Sequence, residues 1–161
     1  MAATSDDDVT FMRRAIALSR THMAAGDGGP FGAVIVLDGA IVGEGWNQVT
    51  STNDPTAHAE VVAIREACRR LGRFSLEGAT LYTSCEPCPM CLSATYWARI
   101  SRIHYGNTAA DAAAIGFDDA FLYREVALPL TARSVPTTQL LGSEAKAVFH
   151  EWDAKPDKVP Y

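Results

Sequence analysis

A histidine, a glutamate two positions later and a cysteine pair three positions apart carry the chemistry of this chain: His58-Ala59-Glu60, and then Pro87-Cys88-Pro89-Met90-Cys91. Zinc takes borderline-soft nitrogen and sulfur ligands, and a catalytic zinc keeps three protein ligands and one position open for water. His58, Cys88 and Cys91 supply that number. Cysteines at i and i+3 share one face at a helix start, where backbone N–H groups favour thiolate over thiol. One imidazole and two thiolates leave the ion formally neutral, and the water or hydroxide in the fourth position ionises with a pKa near ~7 in such sites. From the first turn of a helix, Glu60 can reach round the helix end to act as general acid and base; as a fourth ligand it would close the site.

A purely structural site that adds Cys85 to the set is the bland alternative, but it would leave Glu60 without a task and the water without a place. Cys85 ends a predicted strand and reads as buried wall, and Cys68, on an apolar helical face, reads as core. His104 and His150 lack ligand spacing and read as ordinary solvated or satisfied histidines.

The elements that must position these groups follow from periodicity and punctuation. Residues 5–25 predict a helix capped by Ser5, with Asp6, Asp7 and Asp8 at its positive end and Val9, Met12, Ile16 and Met23 as an apolar stripe. His22 reads as an ordinary histidine on it. Gly28-Gly29-Pro30 lacks the Lys-Ser/Thr of a phosphate loop and reads as a loop allowing close backbone approach. Strands over 31–37 and 40–49 flank a hairpin turn at Asp38-Gly39. Asp54-Pro55 predicts a helix start, with an end at Leu71-Gly72. A strand over 79–84, a helix opened by Pro87 and Pro89 and running to Arg99, and a short strand over 102–105 follow. Beyond Gly106 the pattern weakens: helix over 109–115, a break at 116–119, a fifth strand over 134–141, a last helix over 143–153 capped by Ser143, and a patternless tail, 154–161. This order predicts an α/β domain with helices on both faces of one mixed five-stranded sheet.

With 161 residues, 48% hydrophobic and 20% charged, the chain suits one globular domain near the common size of roughly 150. We expect residues 1–153 to form it, with 154–161 as a tail. A net charge of −5 argues against nucleic acid as a partner, because phosphate neutralisation needs clustered Lys and Arg. The aspartates near the N-terminus do not suit a signal peptide, and the apolar run 31–37 is too short to span a bilayer, so no membrane partner is expected. Three cysteines between Cys85 and Cys91 suit a metal site in a reducing compartment, hence a cytoplasmic protein.

H-x-E with P-C-x-x-C is the signature of zinc nucleobase deaminases. The chain resembles the cytidine deaminase-like superfamily, and within it looks most like the small bacterial guanine deaminases. The narrower likeness rests on G-G-P-F-G-A-V-I-V (28–36), N-D-P-T-A-H-A-E (53–60), L-Y-T-S-C-E-P-C-P-M-C (81–91), Y-W-A-R (96–99), G-F-D-D (116–119) and a terminal tyrosine. The resemblance implies a three-layer α/β/α fold, one zinc per subunit held by His58, Cys88 and Cys91, and hydrolytic deamination of guanine to xanthine and ammonia by Glu60. It implies base contacts from Asn47, the Ala59 N–H, Asp119 and Tyr161, a pocket wall from Phe31, and a homodimer that exchanges the C-terminal segment. The Glu86 carbonyl is expected to hold the departing amine. By themselves, Asp119 would read as a turn carboxylate and Tyr161 as a loose chain end.

Deaminases of guanosine, cytosine, adenine or an aminated triazine are the neighbouring readings. A tRNA adenosine deaminase fits the acidic chain and short tail less well. A non-catalytic structural-zinc module is the reading from another class, and it predicts tightly held metal with no ammonia release.

Overall fold

The computed structural model describes residues 5–161. Ser5 opens helix α1 (Asp6–Ala25) through a reciprocal cap: its hydroxyl accepts the Asp8 N–H at 3.1 Å and the Asp8 carboxylate accepts the Ser5 N–H at 2.8 Å. Strands β1 (Gly32–Leu37) and β2 (Ala40–Trp46) form the hairpin. Asp38 and Gly39 carry its turn with φ of 51° and 73°, the pair of left-handed residues such a two-residue connection requires. A short helix α2 (Val49–Thr52) precedes α3 (Ala59–Leu71), which ends on the left-handed Gly72. Strand β3 (Thr80–Cys85), helix α4 (Pro89–Trp97) and strand β4 (Arg102–Asn107) make a parallel crossover, and α5 (Ala109–Ala114) and α6 (Ala120–Ala127) follow.

The sheet is mixed, in the order β2-β1-β3-β4, with β1 antiparallel to both neighbours and β3 parallel to β4. Period-two alternation divides its side chains between two cores. Ala33, Ile35 and Leu81 pack with Ala59, Ala63 and Ala67 of α3, while Val34, Val36 and Tyr82 pack with Ala15 and Leu18 of α1. Helix α3 lies unusually close to the hairpin. A Cβ on Gly45 would fall 2.2 Å from the Ala59 carbonyl oxygen, so glycine there lets the first turn of α3 rest on the β2 backbone.

The chain divides into two compact units, one up to Leu122 and one spanning Tyr123–Tyr161. The second contains the end of α6, a 3-10 turn (Leu130–Ala132) and α7 (Gly142–Ala154). Within it, the Glu125 carboxylate accepts from both the N–H and the hydroxyl of Ser134 at 2.8 Å. None of its residues is buried.

Layering and the mixed sheet match the sequence expectation, but the described residues form four strands rather than five. Residues 134–141 join no strand ladder among the described residues: Pro136 removes a ladder donor, and Val135, Leu140 and Leu141 are all exposed rather than alternating in burial. The helix expected from Asp54-Pro55 begins at Ala59 instead. The Asp54 carboxylate is spent on a local turn, accepting the Thr56 N–H at 2.8 Å and its hydroxyl at 2.7 Å. Strand β2 stops at Trp46, short of the predicted 49, and the residue preceding α7 is Leu141, in a left-handed conformation, rather than a Ser143 cap. Helix α6 had no forecast. Among the described residues no helix is long and apolar enough to cross a membrane.

Candidate active site

Two helix starts converge on one point. His58 is the extended residue before α3 and Cys88 the extended residue before α4; neither side chain caps its own helix, so both are free to point elsewhere. Cys91 lies in the first turn of α4, behind Pro89. The result is that one ligand atom from each of His58, Cys88 and Cys91 falls within 4.8 Å of the others. His58 Nδ1 stands 3.6 Å from Cys88 Sγ and 3.5 Å from Cys91 Sγ. Tetrahedral zinc with ordinary Zn–N and Zn–S bonds separates such atoms by about 3.6 Å, so the donor set fits the ion in both chemistry and spacing.

The three ligand side chains shift one another's ionisation. The Cys88 thiol is lowered to about 4, chiefly because the Cys91 thiol donates to it, with His58 assisting. Cys91 is correspondingly raised by the Cys88 sulfur and by burial, and the bond to Cys88 raises His58.

Glu60, in the first turn of α3, is 6% exposed and its carboxyl is raised, first by burial. Its Oε1 accepts the Thr83 hydroxyl at 3.3 Å. Glu60, His58 and Cys88 line a cavity of about 240 Å³. Phe31 forms its aromatic wall together with Phe117, ring centroids 4.8 Å apart and edge to face at 89°. Asn47 also lines it. The Asn47 Oδ1 accepts the N–H groups of Gly29 and Val49, both at 3.2 Å, which orients the amide and leaves its NH2 for the cavity. A Cβ on Gly28 would lie 2.5 Å from that same Oδ1, so the glycine loop is what admits this arrangement. The Asp119 carboxyl is raised by burial and then by the Cys88 sulfur.

Glu86 lines the cavity, its backbone anchored by the Glu86 N–H donating to Asn107 O at 2.8 Å and its carboxylate accepting the Ala109 N–H at 3.0 Å. Ala59 is wholly buried at the first position of α3. Tyr161 ends the second unit, 75% exposed. Cys85 is buried wall, its thiol pushed up to about 11 by burial. Sequence reasoning missed Phe117 and Thr83. Phe117 sat inside the G-F-D-D block from which only Asp119 was taken; Thr83 occupies an inward strand position where an apolar residue is the norm. His104 departs from its expectation: its Nε2 is buried with no hydrogen-bond partner among the described residues and lies 3.8 Å from Asp8 Oδ1.

The sequence pattern of the cytidine and deoxycytidylate deaminase zinc-binding region matches residues 5–107. The chain belongs to this deaminase family. Guanine deaminase of Bacillus subtilis (strain 168) is 52% identical over 152 residues, 94% of this chain and 97% of the relative. Its X-ray structure superposes with a TM-score of 0.92, covering 95% of this chain and 98% of the other. A guanine deaminase from Nitrosomonas europaea superposes at a TM-score of 0.66 with 30% identity, over 74% of this chain and 68% of that one. A tRNA-specific adenosine deaminase of Agrobacterium fabrum is 51% identical, but over 77 residues, 48% of this chain and 51% of the relative.

Proposed function

We propose that the chain is a zinc-dependent guanine deaminase, converting guanine and water to xanthine and ammonia. The observation that carries this reading is the extent of the likeness to the Bacillus enzyme. At 94% of the chain it must take in most of Tyr123–Tyr161, whereas the likeness to the adenosine deaminase of Agrobacterium covers only about half of the whole chain.

His58, Cys88 and Cys91 would hold the zinc, which supplies, when bound, a Lewis acid whose open fourth position makes water nucleophilic. Guanine sits against Phe31, its ring acceptor meets the Asn47 NH2, and its ring N–H groups meet the Asp119 carboxylate. The Ala59 N–H and the Tyr161 hydroxyl serve the remaining acceptors. Each polar group of the base left unpaired would cost about 1–3 kcal/mol, which is the source of selectivity. Glu60 takes a proton from the attacking water as oxygen adds to C2 and delivers it to N3; it then takes the remaining proton from the C2 hydroxyl and passes it to the amine as the C2–N2 bond breaks and the C2 carbonyl forms, while the Glu86 carbonyl holds that amine. The raised carboxyl of Glu60 suits a group that must alternate between the two states.

A homodimer with the C-terminal segment exchanged between subunits belongs to the same reading. Val135, Leu140, Leu141 and Phe149 are each exposed by 69% or more, apolar side chains that a second subunit could cover. Neither nucleic acid nor membrane is part of this reading, in line with the charge of −5, and the clustered thiols suit the cytoplasm.

Ammonia release from guanine, guanosine, cytosine and adenine, measured in parallel, should be dominated by guanine; equal or faster release from guanosine would overturn the substrate assignment. Chelation should abolish turnover and added zinc restore it. Mixing a Glu60→Gln variant with one truncated before the tail should recover activity if the pocket is shared, and persistent inactivity of the mixture refutes exchange.

A further inference from the structure

Strand β3 lies between β1 and β4, and Thr83 is paired on both sides, with Ala33 and with Tyr105. Its side chain falls on the α3 face of the sheet, two residues from Leu81 and in register with Ala33, both members of the apolar core there. Thr83 is 1% exposed. A hydroxyl in that layer gains nothing over a methyl unless it is bonded, and valine would fill the same space. The hydroxyl makes one hydrogen bond among the described residues, to Glu60 Oε1 at 3.3 Å.

We propose that Thr83 is the positioning residue of the Glu60 carboxylate: it fixes the rotation of that group by donating to Oε1 and leaves Oε2 as the oxygen through which protons pass. The proposal rests on the reading of Glu60 as proton carrier. Three observations support it. The donor stands on a central strand, held by ladders on both sides, and a β-branched side chain there has a restricted χ1, so the hydroxyl direction is set by the sheet. The acceptor is a buried carboxylate on the first turn of α3, reached also by its own backbone N–H and by the Cys91 side chain, and Thr83 is the partner that the sheet supplies. The bond is long at 3.3 Å, as catalytic hydrogen bonds often are before substrate binds.

The test compares Thr83→Val, Thr83→Ala and Thr83→Ser in the zinc-loaded protein, with Glu60→Gln alongside. Loss of the hydroxyl should lower kcat for guanine by about 10- to 100-fold, the scale of a catalytic group misplaced by a fraction of an ångström. KM, zinc content and xanthine affinity should stay near wild type, and the valine variant should unfold at an equal or higher temperature. Thr83→Ser should recover most of kcat. A purely packing role predicts the reverse: full kcat in Thr83→Val and loss in Thr83→Ser, and either result overturns the proposal. Should the valine variant misfold, the alanine variant carries the same comparison of kcat against KM. If Glu60→Gln retains turnover, the reading of Glu60 itself fails; if Glu60→Gln is inactive while Thr83→Val is unimpaired, only the positioning role fails.

Discussion

Adjacent residues of β3 each put a hydroxyl on a carboxylate, one on either face of the sheet, and the two pairs behave oppositely. On the α1 face Tyr82 donates to Asp8 at 2.5 Å; on the α3 face Thr83 donates to Glu60 at 3.3 Å. Asp8 is lowered to about 2, first by the Tyr82 bond and then by the Ser5 N–H and hydroxyl. Glu60 is raised, because burial outweighs the donors that reach it. A hydroxyl alone therefore does not decide the state of a carboxyl. The Asp8 carboxylate is held in its charged form by Tyr82 first and by the capping box with Ser5 second, which suits a group that holds a helix to a sheet. The Glu60 carboxyl is desolvated beside three metal-ligating atoms, which suits a group that must gain and lose a proton.

Breaking the pair on the α3 face should produce the largest effect. Glu60→Gln is expected to lower kcat by about 10²–10⁴ with zinc retained, and to leave the unfolding temperature unchanged or higher, because an amide there avoids burying charge. Steady-state kinetics, metal analysis and calorimetry on one preparation check all three. On the α1 face the same kind of change should move stability and not turnover. Tyr82→Phe is expected to lower Tm by roughly 3–6 °C with kcat and KM intact, read by thermal unfolding and ammonia release. The smallest effect concerns pH. Because the folded Asp8 carboxyl lies below its usual value, its contribution is fully present above about pH 4 and is lost as pH falls towards 2. The difference in Tm between wild type and Asp8→Asn should thus shrink as pH falls from about 4 towards 2; a difference that grows over that range would contradict the assignment.

Much of this was legible in the residues themselves. Ser5 with three aspartates, Asp38-Gly39 and Leu71-Gly72 are local signals, and each marks a cap or turn in the structure because its cause lies within a few residues. The reading failed where a local signal had two outlets. Asp54-Pro55 has the form of a helix start, but the Asp54 carboxylate found Thr56 first, and the helix waited until His58. The apolar residues of 134–141 suggested a strand, yet a strand needs a partner edge, which no single segment can announce.

The sequence by itself determined the chemistry: an imidazole, two thiolates and a nearby glutamate, at spacings only a helix start makes useful, together with the layers that carry them. Tertiary structure decided how those groups are used. It brought the starts of α3 and α4 to one point, closed the cavity with Phe117 against Phe31, and set Thr83 under Glu60 and Tyr82 under Asp8. The physical reason is that period-two alternation says which residues of β3 share a face, whereas what waits on that face is fixed by how closely a helix can approach it. Here that approach depends on a missing Cβ at Gly45, which lies against the first turn of the helix that follows His58 and carries Glu60.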